Sequence, residues 1–182
     1  VYMANYMAIN IIVAIGLNLL VGYTGQISLG HAGFFALGAY GTIIFMTKVH
    51  LPFILALPAS AFSAALFGFL LGLPALRLEG PYLSLATLGF GLTITQVIGR
   101  IELFGGRQGL HTPDLIIGPW HLESDRDFYY LLMIITVLLT LAARNLIKTQ
   151  VRLSFIAIRD ADVVAETMGV NLTFYKTLAF AI

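Results

Sequence analysis

The amino-acid sequence predicts an all-α fold, a polytopic transmembrane helical bundle of about six membrane segments. Composition is the first observation. Of the 182 residues 59% are hydrophobic and only 10% charged, with a mean hydropathy of +0.91. A soluble domain is about 45–50% apolar and about 25% charged. The second is run length: apolar residues come in stretches of roughly 20, enough for a helix to cross a hydrocarbon core. The third is what interrupts them, short clusters of Gly, Pro, Lys and Arg with turn chemistry.

Residues 1–21 form the first span, apolar except for Asn5, Asn10 and Asn18. Turn residues at 22–26 break it. Residues 29–47 form the second membrane segment, either crossing fully or partly re-entrant, and 48–50 make a short polar break. The third span, 51–73, is bounded by Pro52 and Pro74, and Pro58 is expected to kink its first turns. A short polar piece at 75–80 carries Arg77 and Glu79. Residues 81–99 are the fourth span, with Pro81 where a helix start tolerates proline. Residues 100–127, with Gly105-Gly106, Pro113 and Pro119, read as a loop with short structured pieces. The fifth span is 128–147, the stretch 148–169 is polar and helical in part, and 171–182 begins a sixth span. The chain starts at Val1 and ends in LAFAI, both inside apolar runs. The expectation is therefore a single transmembrane domain over 1–182, truncated at both ends. No basic leader or A-x-A-like cleavage site marks the first run as a signal peptide.

Charge orients the spans. Between 144 and 162 stand four basic residues (Arg144, Lys148, Arg152, Arg159) and two acidic ones; between 100 and 127 stand three basic (Arg100, Arg107, Arg126) and five acidic. The Lys/Arg excess places 144–169 in the cytoplasm and 100–127 outside. Arg77 then falls inside and Lys48 outside, and 22–26 faces inside if 29–47 spans fully. A formal net charge of +1, with no basic cluster interleaved with aromatics, gives no footing for nucleic acid. With no cysteine in the chain, disulfide and thiol chemistry are excluded.

The segment 22–41, GYTGQISLGHAGFFALGAYG, is the least like plain spanning helix. Its glycines at 22, 25, 30, 33, 38 and 41 alternate gaps of three and five. Small residues in a membrane segment serve close helix packing, and polar ones mark a pathway. Gly22, Gly25, Gly30, Gly33, Gly38 and Gly41 are therefore packing candidates, and Ser28, Ala32 and Ala36 form an i, i+4, i+8 small-residue stripe. Gln26, Ser28 and His31 offer polar groups to a passing solute; His31 alone fits structural hydrogen bonding as well as a relay. Asn5, Asn10 and Asn18 fit interhelical hydrogen bonds or, for Asn18, a place on the path. In the fourth span Thr87 and Phe90 are path candidates, and Gly89-Phe90-Gly91 weakens the helix enough for a hinge or a packing site. There is no catalytic constellation such as G-x-S-x-G, no metal-ligand spacing such as H-E-x-x-H, and no Walker A motif. The chain reads as a non-enzyme without metal.

In RLSFIAIRDADVVAETMG, residues 152–169, apolar Ile158, Ala161, Val164, Ala165 and Met168 recur at helical spacing, and Gly169 is placed to stop the helix. Arg159 stands against Asp160, Asp162 and Glu166, so the polar face is acidic. Such a helix fits docking of a partner protein better than anionic lipid.

Three blocks in order carry a resemblance. NLLVGYTGQISLGHAGFFALGAYG, LRLEGPYLSLATLGFG and RLSFIAIRDADVVAETMGVNLTFYKTLAFAI, about 17–41, 76–91 and 152–182, resemble the branched-chain amino-acid ABC transporter permeases, on the LivM side of the LivH/LivM pair. The resemblance implies the N-terminal part of an ABC importer permease in the cell inner membrane, moving branched-chain amino acids by alternating access. It implies a homologous second permease, two cytoplasmic ATP-binding subunits that hold ATP and magnesium, and an extracytoplasmic solute-binding protein. It also implies a cytoplasmic coupling segment at 148–169, with Arg159, Asp160, Ala165, Glu166 and Gly169 in or beside it. The stretch GGRQGL at 105–110 departs from the family pattern. Related permeases carry urea and short amides, and these blocks do not separate the substrates. The rival class, an ion-coupled secondary transporter or channel, would need a charged residue in the middle of a span; Glu79 and Glu102 lie at the edges.

Overall fold

The computed structural model describes every residue except 76, 77, 79, 102, 103, 107, 108, 112, 114, 118, 119, 122 and 123. Of the charged residues used above, Arg77, Glu79, Glu102, Arg107, Asp114 and Glu123 lie outside the described residues, as does part of the GGRQGL stretch.

Helix α1 (Tyr2–Leu17) runs on into a π-helical turn at Asn18–Tyr23. There follow α2 (His31–Thr47), α3 (Phe53–Ala75), α4 (Pro81–Arg100) and α5 (Asp125–Ile147). Then come α6 (Gln150–Asp160), α7 (Asp162–Thr167) and α8 (Leu172–Ala181). The class is all-α; within the 100–127 loop, β1 (Ile116–Ile117) and β2 (Trp120–His121) pair antiparallel over two residues each. Tyr2–Tyr23, Phe53–Leu73, Pro81–Arg100 and Asp125–Ile147 are each long and apolar enough to cross a bilayer.

Local chemistry sets the boundaries. Pro81 opens α4 after Gly80, whose φ is 54°. Ser124 caps α5, its Oγ accepting from the Arg126 amide at 3.3 Å, with Asp125 and Asp127 in the first turn and Arg144 in the last. Asn171 caps α8 by accepting from the Phe174 amide at 3.0 Å. Hydroxyls inside the apolar helices bond back to their own carbonyls, as Thr136 does to Leu132 and Thr140 to Thr136, both at 2.7 Å. That satisfies them without water.

Contacts fix the direction of each helix. Asn5 Nδ2 donates to the Asp125 carbonyl at 3.2 Å, and Asn18 lies opposite Thr140 and Arg144, so α1 and α5 run parallel. Gly30 sits on Thr87 and Gly33 on Gly91, so α2 runs parallel to α4. Gly68 of α3 faces Phe180, and Gly72 faces Thr177, so α3 and α8 are antiparallel and packed backbone to backbone. Thr42 and Ser60 hydroxyls meet at 2.6 Å between α2 and α3. Hence α1, α3 and α5 run toward the end that carries Arg144, Lys148, Arg152 and Arg159, and α2, α4 and α8 run away from it. The second segment starts at this basic end and finishes at Lys48, at the other. It is one uninterrupted helix from end to end of the bundle, though at 17 residues shorter than the four spans named above.

The tightest core lies near the basic end. Leu20, Leu83, Phe155, Ala179 and Phe180 are buried together, with Tyr23, Val151 and Tyr175 packed against them. This cluster clamps the end of α1, the start of α4, α6 and α8 around one point.

One expectation is corrected here. The face Ile158, Ala161, Val164, Ala165, Met168 is not one helix face, because the chain is extended at Ala161 (φ −163°, ψ 102°) between α6 and α7. Only Ile158 and Ala165 are buried; Val164 and Met168 are exposed. Helix α4 continues unbroken through Gly89-Phe90-Gly91. Helix propensity there is overridden by packing, since Gly91 is buried against Gly30 and Gly33.

Candidate functional site: the turn between the first and second membrane segments

At the end of α1 the backbone widens into the π-helical turn because Asn18 Oδ1 occupies the space a side chain at Gly22 would need. Thr24 Oγ1 donates to the Leu20 carbonyl, and the amides of Gly25 and Gln26 donate to Val21 and Leu20 at 3.1 and 3.3 Å. Gly25, at φ +68°, takes the left-handed turn that ends the helix. From there to Gly30 the chain is non-helical, and its burial alternates. Thr24, Gln26, Ser28 and Gly30 are buried, while Gly25, Ile27 and Leu29 are exposed. This is the two-residue period of a strand, with polar residues inward and apolar ones outward.

The non-helical piece lies on the first turns of α4. Ser84 Oγ donates to the Ile27 carbonyl at 3.2 Å, and the Leu29 amide donates to Thr87 Oγ1 at 3.0 Å. Thr87 Oγ1 in turn donates to the Ser84 carbonyl at 3.0 Å. Ser28 Oγ accepts from the Gly30 amide at 3.3 Å, just before α2 begins at His31. One turn further, the rings of Phe34 and Phe90 stand 5.1 Å apart, and His31 meets Phe34 edge-on at 6.5 Å. Non-helical backbone at membrane depth persists only where protein or a cavity covers it. Here α4 covers it, with Thr87 only 2% exposed.

Gln26 Oε1 and Nε2, and His31 Nδ1, are buried without hydrogen-bond partners among the described residues. His31 and Phe34 line a cavity of about 340 Å³ between α1, α2, α3 and α8, otherwise walled by aliphatic and Phe side chains. Gln26 borders a second one, about 400 Å³, open at the basic end beside Arg159, Asp162 and Lys176. The arrangement offers a non-helical turn, an apolar chamber and a few unpaired polar atoms. That suits holding and passing a small solute with an apolar body.

Of the path candidates, Gln26, Ser28 and Thr87 come together at the non-helical piece, and His31 and Phe90 meet through Phe34 one turn above. Asn18 does not join them; it faces α5 across a separate cavity with Thr140 and Arg144. Asn10 makes no interhelical bond and donates to its own helix at Tyr6. Among the packing glycines, Gly30 and Gly33 lie on α4, and Gly41 on Ser60 of α3. Gly22 is a correction, since what it accommodates is Asn18 of its own helix. Gly38 is another, with nothing within 4 Å of a Cβ built there. The Ser28–Ala32–Ala36 stripe also falls: Ser28 precedes the helix and Ala32 is exposed.

Of the coupling candidates, Arg159 reaches the Gly22 carbonyl at 3.1 Å and pairs with Asp160 at 3.1 Å. Ala165 is buried, Glu166 is exposed, and Gly169, at φ +87°, closes α7. The Val170 amide donates to Ala165 and the Gly169 amide to Glu166, both at 3.0 Å, a Schellman stop. Sequence reasoning missed Ser84, and it missed Asp162–Lys176, a pair at 2.5 Å joining α7 to α8. A signal for the non-helical piece was present: in T-G-Q-I-S-L-G the polar and apolar residues alternate.

Comparison with known proteins agrees with this architecture. The chain matches, over residues 1–182, the family described as branched-chain amino acid transport system / permease component. It is 33% identical over 204 aligned residues to the high-affinity branched-chain amino acid transport system permease protein LivM of Salmonella typhimurium. The same figures hold for the protein of that name from Escherichia coli. Each alignment covers 98% of this chain and 48% of the relative, so the chain spans about half the length of the curated relatives it matches. No solved structure matches it. With a family match along its whole length, on helices that cross a membrane, the chain belongs to the branched-chain amino acid transport permeases.

Proposed function

We propose that the chain acts as a membrane-spanning permease of an ABC importer, passing branched-chain amino acids across the inner membrane while partner subunits hydrolyse ATP. The observation that carries this reading is the non-helical piece between α1 and α2, laid on the first turns of α4 and holding a Gln26 amide with no hydrogen-bond partner among the described residues. Unpaired polar groups beside an apolar cavity suit the holding of a small solute with an apolar body. The relatives' names, which assign them to branched-chain amino acid transport, support the solute class, and the aliphatic cavity beneath His31 suits such side chains.

The packing suggests which parts move together. Backbone contacts join α2 to α4 at Gly30 and Gly33, and α3 to α8 at Gly68 and Gly72. Because Gly41 and Thr42 of α2 also pack on Ser60 of α3, the two pairs are joined into one body. Residues 148–169 form the cytoplasmic coupling segment. Its α7 shows Val163, Val164 and Met168 to the outside, with Val163 75% and Met168 81% exposed, beside Glu166. An apolar knob with an acidic rim fits a groove in an ATP-binding subunit and is a poor match for anionic lipid. A homologous second permease and an extracytoplasmic solute-binding protein complete the assembly.

The test is the double substitution Val163→Asp with Met168→Asp in the full-length chain with its partners. Uptake of labelled leucine should fall by about tenfold or more, as for a lost apolar anchor in an interface. ATP hydrolysis should no longer respond to solute, and membrane insertion should be unchanged. Normal coupled uptake in that variant would sink the proposal.

A further inference from the structure

One side chain joins the corner between α6 and α7 to the turn between α1 and α2. Arg159 donates from Nη1 to the Gly22 carbonyl at 3.1 Å, across 137 residues of chain. Its aliphatic part lies flat on Gly25, where an added Cβ would come within 2.8 Å of its Cγ. It therefore covers the point where the π-helical turn gives way to non-helical chain. The next residue, Gln26, is 7% exposed, and both polar atoms of its amide are shut from solvent without a partner. A buried primary amide that uses neither donor nor acceptor gains hydrogen bonds as soon as polar groups reach it.

The same corner has a second tie, Asp162 to Lys176 of α8. That tie ends on the rigid α3–α8 pair, where Gly72 packs on Thr177. It anchors the corner, whereas Arg159 crosses to the turn between α1 and α2.

We infer that Arg159 is a positioning residue, a latch whose bond to the Gly22 carbonyl holds residues 24–30 closed over Gln26. Displacement of the α6–α7 corner releases the latch and presents the Gln26 amide to the polar groups of the solute. The inference rests on the permease reading for the source of that displacement; the latch itself is a property of this chain.

Residues 1–182 hold no cysteine, so with any cysteine elsewhere in the full-length chain replaced, Gln26→Cys creates a unique thiol. In membranes holding the full-length chain without partners, its reaction with a small water-soluble thiol reagent should be slow. With Arg159→Met added it should be about tenfold faster or more, the factor expected for losing a charged hydrogen bond. Arg159→Lys, which keeps a donor, should fall between, and Asp160→Asn, which keeps an acceptor for Arg159 Nε and leaves the Gly22 bond, should have a smaller effect than Arg159→Met. In the assembled transporter with native Gln26, Arg159→Met should lower uptake per ATP hydrolysed, and Arg159→Lys should restore part of it.

Equal labelling rates with and without Arg159→Met overturn the latch, as does unchanged uptake per ATP. An Asp160→Asn effect as large as that of Arg159→Met overturns it too, because the cause would then be the charge of the corner. Should Arg159→Met fail to insert, equal rates for Arg159→Lys and the parent overturn it. Absence of uptake by the parent transporter would count against the permease reading alone, and the labelling experiment would still decide the latch.

Discussion

Two glycines of the second membrane segment, one just before α2 and one inside it, show how differently one residue type can act. A Cβ at Gly30 would lie 2.5 Å from the Thr87 carbonyl oxygen, a backbone atom of α4 that cannot move aside alone. At Gly38 the space is open. Gly30→Ala should therefore destabilise the folded chain by about 1–3 kcal/mol, the usual range for overpacking. Gly38→Ala should be neutral or stabilise by up to about 1 kcal/mol, the helix-propensity difference. Thermal unfolding in detergent, followed by the loss of the monodisperse species, reads both; a lower midpoint for Gly38→Ala would contradict the assignment. The glycine spacing shows that small residues are wanted in 22–41. Which of them faces a neighbour depends on where α4 and α3 pass, and spacing within one segment does not carry that.

Among the elements, the non-helical piece 25–30 has the most to lose from one substitution. Its backbone is held from α4 by Thr87 and Ser84. Replacing the hydroxyl with a methyl in Thr87→Val keeps volume and leaves the Leu29 amide unpaired at membrane depth. The expected cost is about 1–3 kcal/mol for a buried unsatisfied donor. Uptake should fall with it, while Thr93→Val on the exposed face of α4, whose hydroxyl bonds only to Gly89 of its own helix, should leave uptake unchanged. Equal uptake by Thr87→Val and the parent would show that the piece does not depend on α4. Alternation over seven residues made this element legible in principle. Six residues between two apolar helices nevertheless read more naturally as a turn, because nothing in the local pattern says that a neighbouring helix will supply the missing hydrogen bonds. The division of 152–169 at Ala161 was hidden for a similar reason. A three-four periodicity survives a one-residue break, and the break is imposed from outside by Arg159 on Gly22 and Asp162 on Lys176.

At the scale of the whole molecule, the directions of the helices place Lys48 and Arg152 at opposite ends of the bundle, and the charge excess assigns Arg152 to the cytoplasm. With any cysteine elsewhere in the full-length chain replaced, Lys48→Cys should react with an impermeant thiol reagent added outside, and Arg152→Cys only after the reagent is given access to the cytoplasmic side. Labelling of both from one side would overturn the end-to-end course of the second segment. Sequence alone sufficed for the all-α membrane class, for the four helices long enough to span, and for the family, because those depend on composition, run length and local motifs. The way the segments pair, the non-helical and covered state of 25–30, and the gathering of Gln26, Ser28, Thr87 and Arg159 from distant parts of the chain were decided by tertiary structure. In lipid, apolar faces carry little information about partners. Partner choice falls to backbone approach at a few glycines and to hydrogen bonds between segments, and these exist only once the helices have met.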